Sequence, residues 1–109
     1  MNRDEASILD MDTAAKRILS FSAGVSKQSL IENEEKQSAI VYQLIIIGEA
    51  TKRLSMDFRN RHPDIPWKST AAMRDVLAHQ YDKINIQELW DVIHSDVPEL
   101  IELLKPLIR

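Results

Sequence analysis

The sequence predicts an all-α protein, folded as one up-and-down bundle of four to five helices that spans residues 1–109. Three observations support this fold class. The chain has only two glycines and four prolines, whereas an all-β protein needs many more turn residues. Apolar residues recur at intervals of three and four, which is the period of an amphipathic helix. The length is also sufficient for one domain with a real hydrophobic core.

Two helices are predicted in the N-terminal half. Residues 4–21 carry one apolar stripe, and Gly24 supplies a stop signal after it. The stripe consists of Ile8, Met11, Ala15, Ile18 and Leu19. We expect a second helix over residues 30–59, because its stripe continues at helical spacing past the β-branched run 40–47. That run is apolar all round, which indicates burial against the bundle and against a second protomer. Gly48 would allow another helix to approach closely.

A turn and two further helices are predicted in the C-terminal half. Residues 62–67 contain two prolines three positions apart, which a regular helix does not accommodate. The second of these prolines starts a helix that we place at residues 66–78. Asn85, with a glutamate three positions later, is typical of a helix N-cap, and the apolar pattern continues from there to the C-terminus. Pro98 interrupts this last helix, so we expect a kink near His94.

Composition excludes several classes of function. With no cysteine, the chain has no disulfide framework, no thiol catalysis and no cysteine-based zinc site. Its three histidines, His62, His79 and His94, are too scattered to suggest a metal cage, so we expect neither a metal nor a cofactor. No apolar run approaches the length of a membrane span, and the acidic, polar N-terminal segment does not resemble a signal peptide. These features predict a soluble, cytoplasmic protein with no membrane partner.

The uneven distribution of charge bears on the class of ligand. The net charge of the chain is −3, but residues 51–79 carry +3 and the remainder carries −6. A basic segment within an acidic protein favours a local site for a polyanion, although a solvated helix face explains the same pattern. If RNA crosses this segment, four side chains are natural phosphate contacts, namely Lys52, Arg53, Arg59 and Arg61.

The residues best suited to chemistry lie between Arg74 and Tyr81. Arginine keeps its charge and binds phosphate through two parallel donors, while histidine titrates near neutral pH and exchanges protons. Arg74 and His79 are about 140° apart around an ideal helix, so they converge only if His79 lies at or beyond the helix end. With RNA as substrate, the 2′-hydroxyl is the nucleophile and no metal is required. The alternative is a structural pair, in which the arginine ends a helix and the histidine binds a backbone carbonyl.

The reaction needs a base to start and an acid to finish, and one histidine per site does not easily supply both. A symmetric homodimer brings two Arg–His pairs together and supplies both roles. Glu49 lies in an apolar stretch, so we expect a buried carboxylate that pairs with Arg74 or Arg53. Its expected role is structural or supporting rather than catalytic.

We expect the other aromatic residues and histidines to have structural rather than catalytic roles. Tyr42 is expected in the core or at an interface. Trp67 and Trp90 are expected to pack rather than to stack on bases, since aromatic residues make up only 6% of the chain and are not clustered. His94 is interpreted as a residue on a helix face, and His62 as a loop residue for which RNA contact is a secondary alternative.

The segment from Arg74 to Tyr81 resembles the Arg-x4-His-x-Tyr signature of HEPN-domain proteins, specifically the HepT-like toxins encoded beside MntA-type minimal nucleotidyltransferases. The resemblance covers nearly the whole chain. Its other elements are, in order, Ile47-Gly48-Glu49-Ala50, His62-Pro63-x-Ile65-Pro66-Trp67, and the segment from Trp90 through Pro98-x-Leu100. After the motif arginine stands Asp75, where the family also commonly has asparagine, so the pattern is intact.

This resemblance implies an RNase toxin of a HEPN/MNT (type VII) toxin–antitoxin system. HepT-like proteins are helical homodimers whose two Arg-x4-His motifs face each other across a cleft and cleave RNA, either tRNA or mRNA, without metal. Carried over, Arg74 binds the scissile phosphate, His79 is the general acid or base, and Asp75 orients these groups or the RNA. The MntA-like antitoxin transfers AMP to the motif tyrosine, here Tyr81, and the added bulk and negative charge repel RNA. The alternative is a non-catalytic helical adaptor that binds the nucleotidyltransferase or presents substrate to it.

Overall fold

The computed structural model describes residues 2–77 and 84–108, and these residues form helices and connecting turns without any strand. The N-terminal half contains α1 (Arg3–Ser22), α2 (Lys27–Glu32), α3 (Glu34–Arg53) and α4 (Met56–Arg61). The C-terminal half contains α5 (Trp67–Ala71), a 3₁₀ helix (Ala72–Leu77), α6 (Ile86–Asp91), a π turn (Val92–Asp96), α7 (Val97–Leu104) and a short 3₁₀ helix (Lys105–Leu107). The predicted all-α class is confirmed.

The hydrophobic core lies where α1, α3 and α7 meet. α1 and α3 run antiparallel: Asp10 of α1 pairs with Arg53 at the end of α3 at 3.0 Å, and Lys36 at the start of α3 donates to the Phe21 carbonyl at 2.8 Å. α7 packs against α1. Fully buried side chains from these helices include Met11, Ile18, Ile40, Leu44, Ile47, Val97 and Leu104. Burying each one stabilises the fold by about 1.5–3 kcal/mol, so this core dominates the stability of the bundle.

The first helix matches the one predicted at residues 4–21. Asn2 caps its start, since the Asn2 side chain accepts a hydrogen bond from the Glu5 backbone N–H at 2.8 Å. Gly24 follows the end of α1 with φ 72°, in the left-handed region that glycine adopts without strain, as the predicted stop requires. Within the predicted apolar stripe, Leu19 faces solvent and the other four residues are buried.

The single helix predicted over residues 30–59 is wrong, because α2, α3 and α4 occupy this region. The breaks fall at Asn33 and Ser55, which cap the helices that follow them. Each side chain accepts a hydrogen bond from the backbone N–H three residues later, at 2.9 and 3.1 Å. Asp4 also accepts hydrogen bonds from both the N–H and the hydroxyl of Ser55, at 2.8 Å each. This contact from α1 stabilises the non-helical conformation of Ser55 between α3 and α4. The β-branched run 40–47 is helical, as predicted.

The last helix begins, and is interrupted, where the sequence indicates. Asn85 accepts a hydrogen bond from the backbone N–H three residues later at 3.0 Å, which confirms the predicted N-cap. Pro98 has no N–H to donate to the carbonyl of His94. The chain accommodates this with the π turn, in which the Val97 N–H bonds to the Val92 carbonyl five residues earlier. Near His94, where the sequence predicts a kink, the structure has this π turn.

Candidate functional site

Arg74 lies on the 3₁₀ helix that follows α5. The helix predicted at residues 66–78 is corrected in two respects. Pro66 is the N-cap residue of α5 rather than part of its first turn. The α-helix ends at Ala71, and the tighter 3₁₀ winding continues from there to Leu77, while residue 78 lies outside the described residues.

Gly48 sets the distance between this segment and α3. Gly48 is buried, and a Cβ atom built on it would lie 2.8 Å from the Cβ of Arg74 and 3.0 Å from the carbonyl oxygen of Ala71. Both distances are shorter than ordinary van der Waals contact, so any larger residue would displace the backbone that carries Arg74. The close approach predicted for Gly48 is therefore confirmed.

The guanidinium of Arg74 contacts two carboxylates. Its Nη1 donates a hydrogen bond to Glu49, the residue next to Gly48 on α3, and its Nε lies 3.4 Å from the Asp75 carboxylate. The predicted pairing of Glu49 with Arg74 is confirmed. The predicted burial of Glu49 is wrong, since 47% of its side chain is exposed, because it lies on the outer face of α3. The Arg74 side chain is 36% exposed, so the cluster of Arg74, Glu49 and Asp75 is open to a ligand.

His79 and Tyr81, the other members of the predicted motif, lie outside the described residues. Their proximity to Arg74, and their roles as proton-transfer group and AMP acceptor, stay predictions. Of the predicted catalytic and supporting residues, the structure brings Arg74, Glu49 and Asp75 together.

Arg59, one of the four predicted phosphate contacts, has a partner in the fold. Its Nη2 donates to the carbonyl of Thr51 in the last turn of α3 at 2.7 Å, and its Nε is buried. Carbonyl groups at a helix C-terminus lack helical partners, and a cation satisfies them well. This arginine therefore joins α4 to the end of α3.

The other three predicted phosphate contacts, Lys52, Arg53 and Arg61, are exposed. Arg53 forms an ion pair with Asp10 at 3.0 Å, and Arg61 forms one with Asp57 at 3.2 Å. Exposed pairs of this kind contribute little to stability. Lys52 has no ion-pair partner in the part of the chain that the structure describes.

An exposed apolar stripe runs along the outer face of α3 and leads to Glu49. Tyr42 is 61% exposed and Ile45 is 40% exposed, and their spacing of three and four places them on the same face as Glu49. Tyr42 is therefore not a core residue, which leaves the interface alternative. In the sequence, this stripe is indicated by the run 40–47, which is apolar on all sides of the helix. When such a helix packs on one side only, apolar residues on its other side stay exposed.

The other aromatic side chains support the fold around α4 and the π turn. Trp67 is buried, and its indole Nε1 donates to the His62 carbonyl at 2.9 Å, which confirms a packing role. His62 lies against the ring of Phe58, with the ring centroids 4.7 Å apart. Trp90 is half-buried and packs on the ring of His94 at 4.0 Å. His94 Nδ1 contacts the Trp90 carbonyl at 2.9 Å, as a residue on a helix face does.

The described ranges contain neither a group of metal ligands nor a membrane-spanning helix. Over residues 2–77 and 84–108, no three histidine, aspartate or glutamate side chains are grouped so that they could hold a metal ion. Within the same ranges, no helix has the length and apolarity needed to cross a membrane.

The family assignment follows from comparison with known proteins. A family model described as Ribonuclease HepT-like matches residues 11–107 of this chain. The chain belongs to the HepT-like ribonuclease family. The matched range of this HepT-like chain contains the contact between Gly48 and Arg74. The resemblance predicted from the motifs is confirmed.

Several curated relatives cover most of the HepT-like chain. The protein named "Putative RNase MJ0127" of Methanocaldococcus jannaschii is 34% identical over 104 residues, which are 95% of this chain and 86% of the relative. The protein named "Probable ribonuclease HepT" of Thermococcus cleftensis is 35% identical over 91 residues, covering 84% and 83% of the two chains. The protein named "Putative RNase TTE0752" of Caldanaerobacter subterraneus is 37% identical over 86 residues, covering 79% and 77%. No solved structure gave a significant match to this chain.

Proposed function

We propose that this protein is a metal-independent endoribonuclease and the toxin of a HEPN/MNT toxin–antitoxin pair. The observation that carries the proposal is the partly exposed Arg74 guanidinium, held at the surface of a chain that belongs to a ribonuclease family. Two of its nitrogen atoms contact carboxylates, and its Nη2 has no partner among the described residues. This leaves donors for a phosphate oxygen, the group that arginine binds most specifically.

The chemistry is the transfer of a phosphoryl group within the RNA strand. The base removes the proton of the 2′-hydroxyl, and the 2′-oxygen attacks the adjacent phosphorus. The bond from phosphorus to the 5′-oxygen breaks, and the acid protonates that oxygen as it leaves. Arg74 stabilises the negative charge that develops on the phosphate, and His79 serves in one of the proton transfers. The nucleophile is part of the substrate, so no step requires a metal ion.

The site is composite across a homodimer. Support comes from the exposed stripe of Tyr42 and Ile45, which shares its helix face with Glu49, the partner of Arg74. A second copy packed on this stripe buries its apolar surface and brings the two Arg74 residues toward the same cleft. Two copies of His79 then supply both the acid and the base.

An MntA-like minimal nucleotidyltransferase is the antitoxin, and it silences the toxin by attaching AMP to Tyr81. Each AMP group brings a phosphate with its negative charge to the motif that must accept the phosphates of RNA. The donors of Arg74 that bind the substrate also attract the phosphate of the AMP group. The attached AMP therefore competes with RNA for these donors. Both proteins act in the cytoplasm, where RNA is available.

A non-catalytic adaptor of the nucleotidyltransferase is the second candidate. The observation that favours it is that Glu49 and Asp75 together more than offset the charge of Arg74, as in a purely structural ion-pair cluster. In this case Arg74 holds the 3₁₀ helix against α3, and the surface binds a protein.

Chemical analysis of the RNA products separates the two candidates. The substrate is a defined RNA, used in parallel with the same RNA carrying 2′-O-methyl groups throughout. We expect the dimer to cleave only the first and to leave a 2′,3′-cyclic phosphate, because the 2′-oxygen is the nucleophile. Cleavage of the methylated strand contradicts the proposed chemistry. Failure to cleave either strand, in protein whose mass shows no AMP, favours the adaptor.

A further inference from the structure

Glu49 lies on the outer face of α3, at a position where the backbone is constrained. Its neighbours Ile47, Gly48 and Ala50 are buried, so the backbone at Glu49 is fixed by the core. Gly48 is also the point where the segment carrying Arg74 meets α3, with no room for a Cβ atom between them. The glutamate therefore projects from a rigid helix directly beside the arginine.

The contacts of Arg74 divide its guanidinium into bound and available donors. Glu49 accepts from Nη1, and the Asp75 carboxylate lies 3.4 Å from Nε. A guanidinium is planar, so the hydrogen bond from Nη1 to Glu49 and the ion pair with Asp75 together restrict the direction of its remaining donors. Nη2 and the second hydrogen of Nη1 then point in one defined direction. Without Glu49, the side chain would rotate among several rotamers.

We propose that Glu49 is a positioning residue for RNA cleavage, which holds the Arg74 guanidinium in the orientation that the transition state requires. This inference rests on the proposed function, in which Arg74 binds the scissile phosphate. Glu49 itself transfers no proton. Its negative charge has a second consequence, since it weakens the attraction of Arg74 for the phosphate of the bound substrate. The same charge also weakens the interaction with the transition state, so the rate advantage of Glu49 comes from orientation alone.

The kinetic test compares Glu49→Ala, Glu49→Gln and a matched control, Glu35→Ala. Glu35 is an exposed glutamate on the same helix, in its first turn and far from Arg74. We expect Glu49→Ala to lower kcat by about 10-fold or more, because small errors in orientation reduce rates strongly. KM should stay constant or fall, and kcat is taken per folded molecule, because a loss of folded protein alone lowers the apparent kcat at an unchanged KM. Glu49→Gln keeps a hydrogen-bond acceptor at the same length, so its kcat should lie between those of Glu49→Ala and the wild type.

The dependence of rate on pH completes the kinetic test. A positioning residue leaves the shape of the profile unchanged, so Glu49→Gln should show the wild-type profile at a lower maximum. A kcat for Glu49→Ala within twofold of Glu35→Ala overturns the proposal. Loss of the acid limb of the profile in Glu49→Gln also overturns it, because that result assigns proton transfer to Glu49.

A measurement that needs no RNA keeps this inference separate from the proposed function. The Nε–Hε signal of Arg74 in an NMR spectrum, assigned by its loss in Arg74→Ala, reports how firmly the guanidinium is held. We expect slow hydrogen exchange at this group in the wild type and in Glu35→Ala, and fast exchange in Glu49→Ala. If wild-type protein does not cleave RNA but shows this difference, the proposed function fails while the contact is upheld. Equal exchange in all three proteins overturns the positioning role.

Discussion

The α1–α3–α7 core and the surface around Arg74 are stabilised in different ways. The core consists of many buried apolar side chains, each contributing a modest amount, so no single contact decides its geometry. The position of Arg74 depends on one glycine and two carboxylates. We therefore expect a substitution in the core to change how much protein is folded, and a substitution at the surface site to change what the folded protein does. Experiments that measure stability and cleavage in parallel can separate the two regions.

The largest effect on stability is expected for Leu44→Ala. Leu44 is fully buried on α3, and its truncation leaves a cavity that costs about 2–5 kcal/mol of unfolding free energy. Urea denaturation of the variant measures this value, and Ile45→Ala is the matched control, because Ile45 is the next residue and faces outward. We expect less than about 1 kcal/mol for the control at high protein concentration. Equal losses in both variants would contradict the assignment of the two faces.

Arg74→Ala is expected to give the opposite result, with RNA cleavage at least about 100-fold slower and little change in stability. The side chain is partly exposed, so its removal leaves no cavity in the core. The cleavage rate and the thermal midpoint are measured on the same preparation. Arg17→Ala, at an exposed position on α1, is the control and should cleave at the wild-type rate. A variant of Arg74 that keeps full activity would remove this residue from the site.

Gly48→Ala should affect both regions, because Gly48 is where they meet. The added methyl group clashes with Arg74 and with the Ala71 carbonyl, and such overpacking costs about 1–3 kcal/mol. The displaced arginine should also lower the cleavage rate of the protein that remains folded. Gly24→Ala is the matched control, since its methyl group meets nothing within 4 Å and only the left-handed backbone is strained. We expect Gly24→Ala to lose stability while it keeps its activity per folded molecule.

The smallest effect is expected for Asp4→Asn, at the break between α3 and α4. The hydrogen bond from the Ser55 backbone N–H holds the pKa of Asp4 below its ordinary value, and the Ser55 hydroxyl contributes in the same direction. A carboxyl group with a lowered pKa stabilises the fold above its unfolded pKa and loses this contribution as the pH falls through the folded pKa. We expect a loss of less than about 1 kcal/mol at pH 7 in urea denaturation, because both hydrogen bonds are exposed to solvent.

The same experiment near pH 3 should show a smaller difference between Asp4→Asn and the wild type, because the wild-type carboxyl group is then partly protonated. Cleavage should be unchanged at pH 7. A difference in stability that grows as the pH falls would contradict the assigned role of the Asp4 carboxylate.

The sequence predicts the core well because helical spacing and burial are local and repetitive. The stripe of α1, the helical state of the β-branched run 40–47 and the cap at Asn85 each depend on a few adjacent residues. The break at Ser55 could not be predicted in this way, since Asp4 reaches it from 51 residues away in the chain. The 3₁₀ winding after Ala71 likewise depends on how this segment packs against α3 at Gly48.

The candidate site shows the same division between local pattern and tertiary contact. The spacing of the motif makes Arg74 a candidate, and the apolar setting of Glu49 correctly indicates a partner for its carboxylate. The exposure of Glu49 could not be read from the sequence, because the same apolar run supplies both the buried and the outward face of α3. The hydrogen bond from Arg59 to the Thr51 carbonyl depends on the turn at Ser55. The apolar pattern of the sequence predicts a continuous helix through this turn.

The most direct test of the central claim is RNA cleavage by the purified protein in excess EDTA, with total tRNA and a long mRNA as substrates. Wild-type protein, shown by its mass to carry no AMP, is compared with His79→Ala. We predict cleavage by the wild type and a loss of about 100-fold or more in the variant, since one proton-transfer group is then missing. Equal cleavage by both proteins, or no cleavage by unmodified wild type, would contradict a metal-independent ribonuclease built on Arg74 and His79.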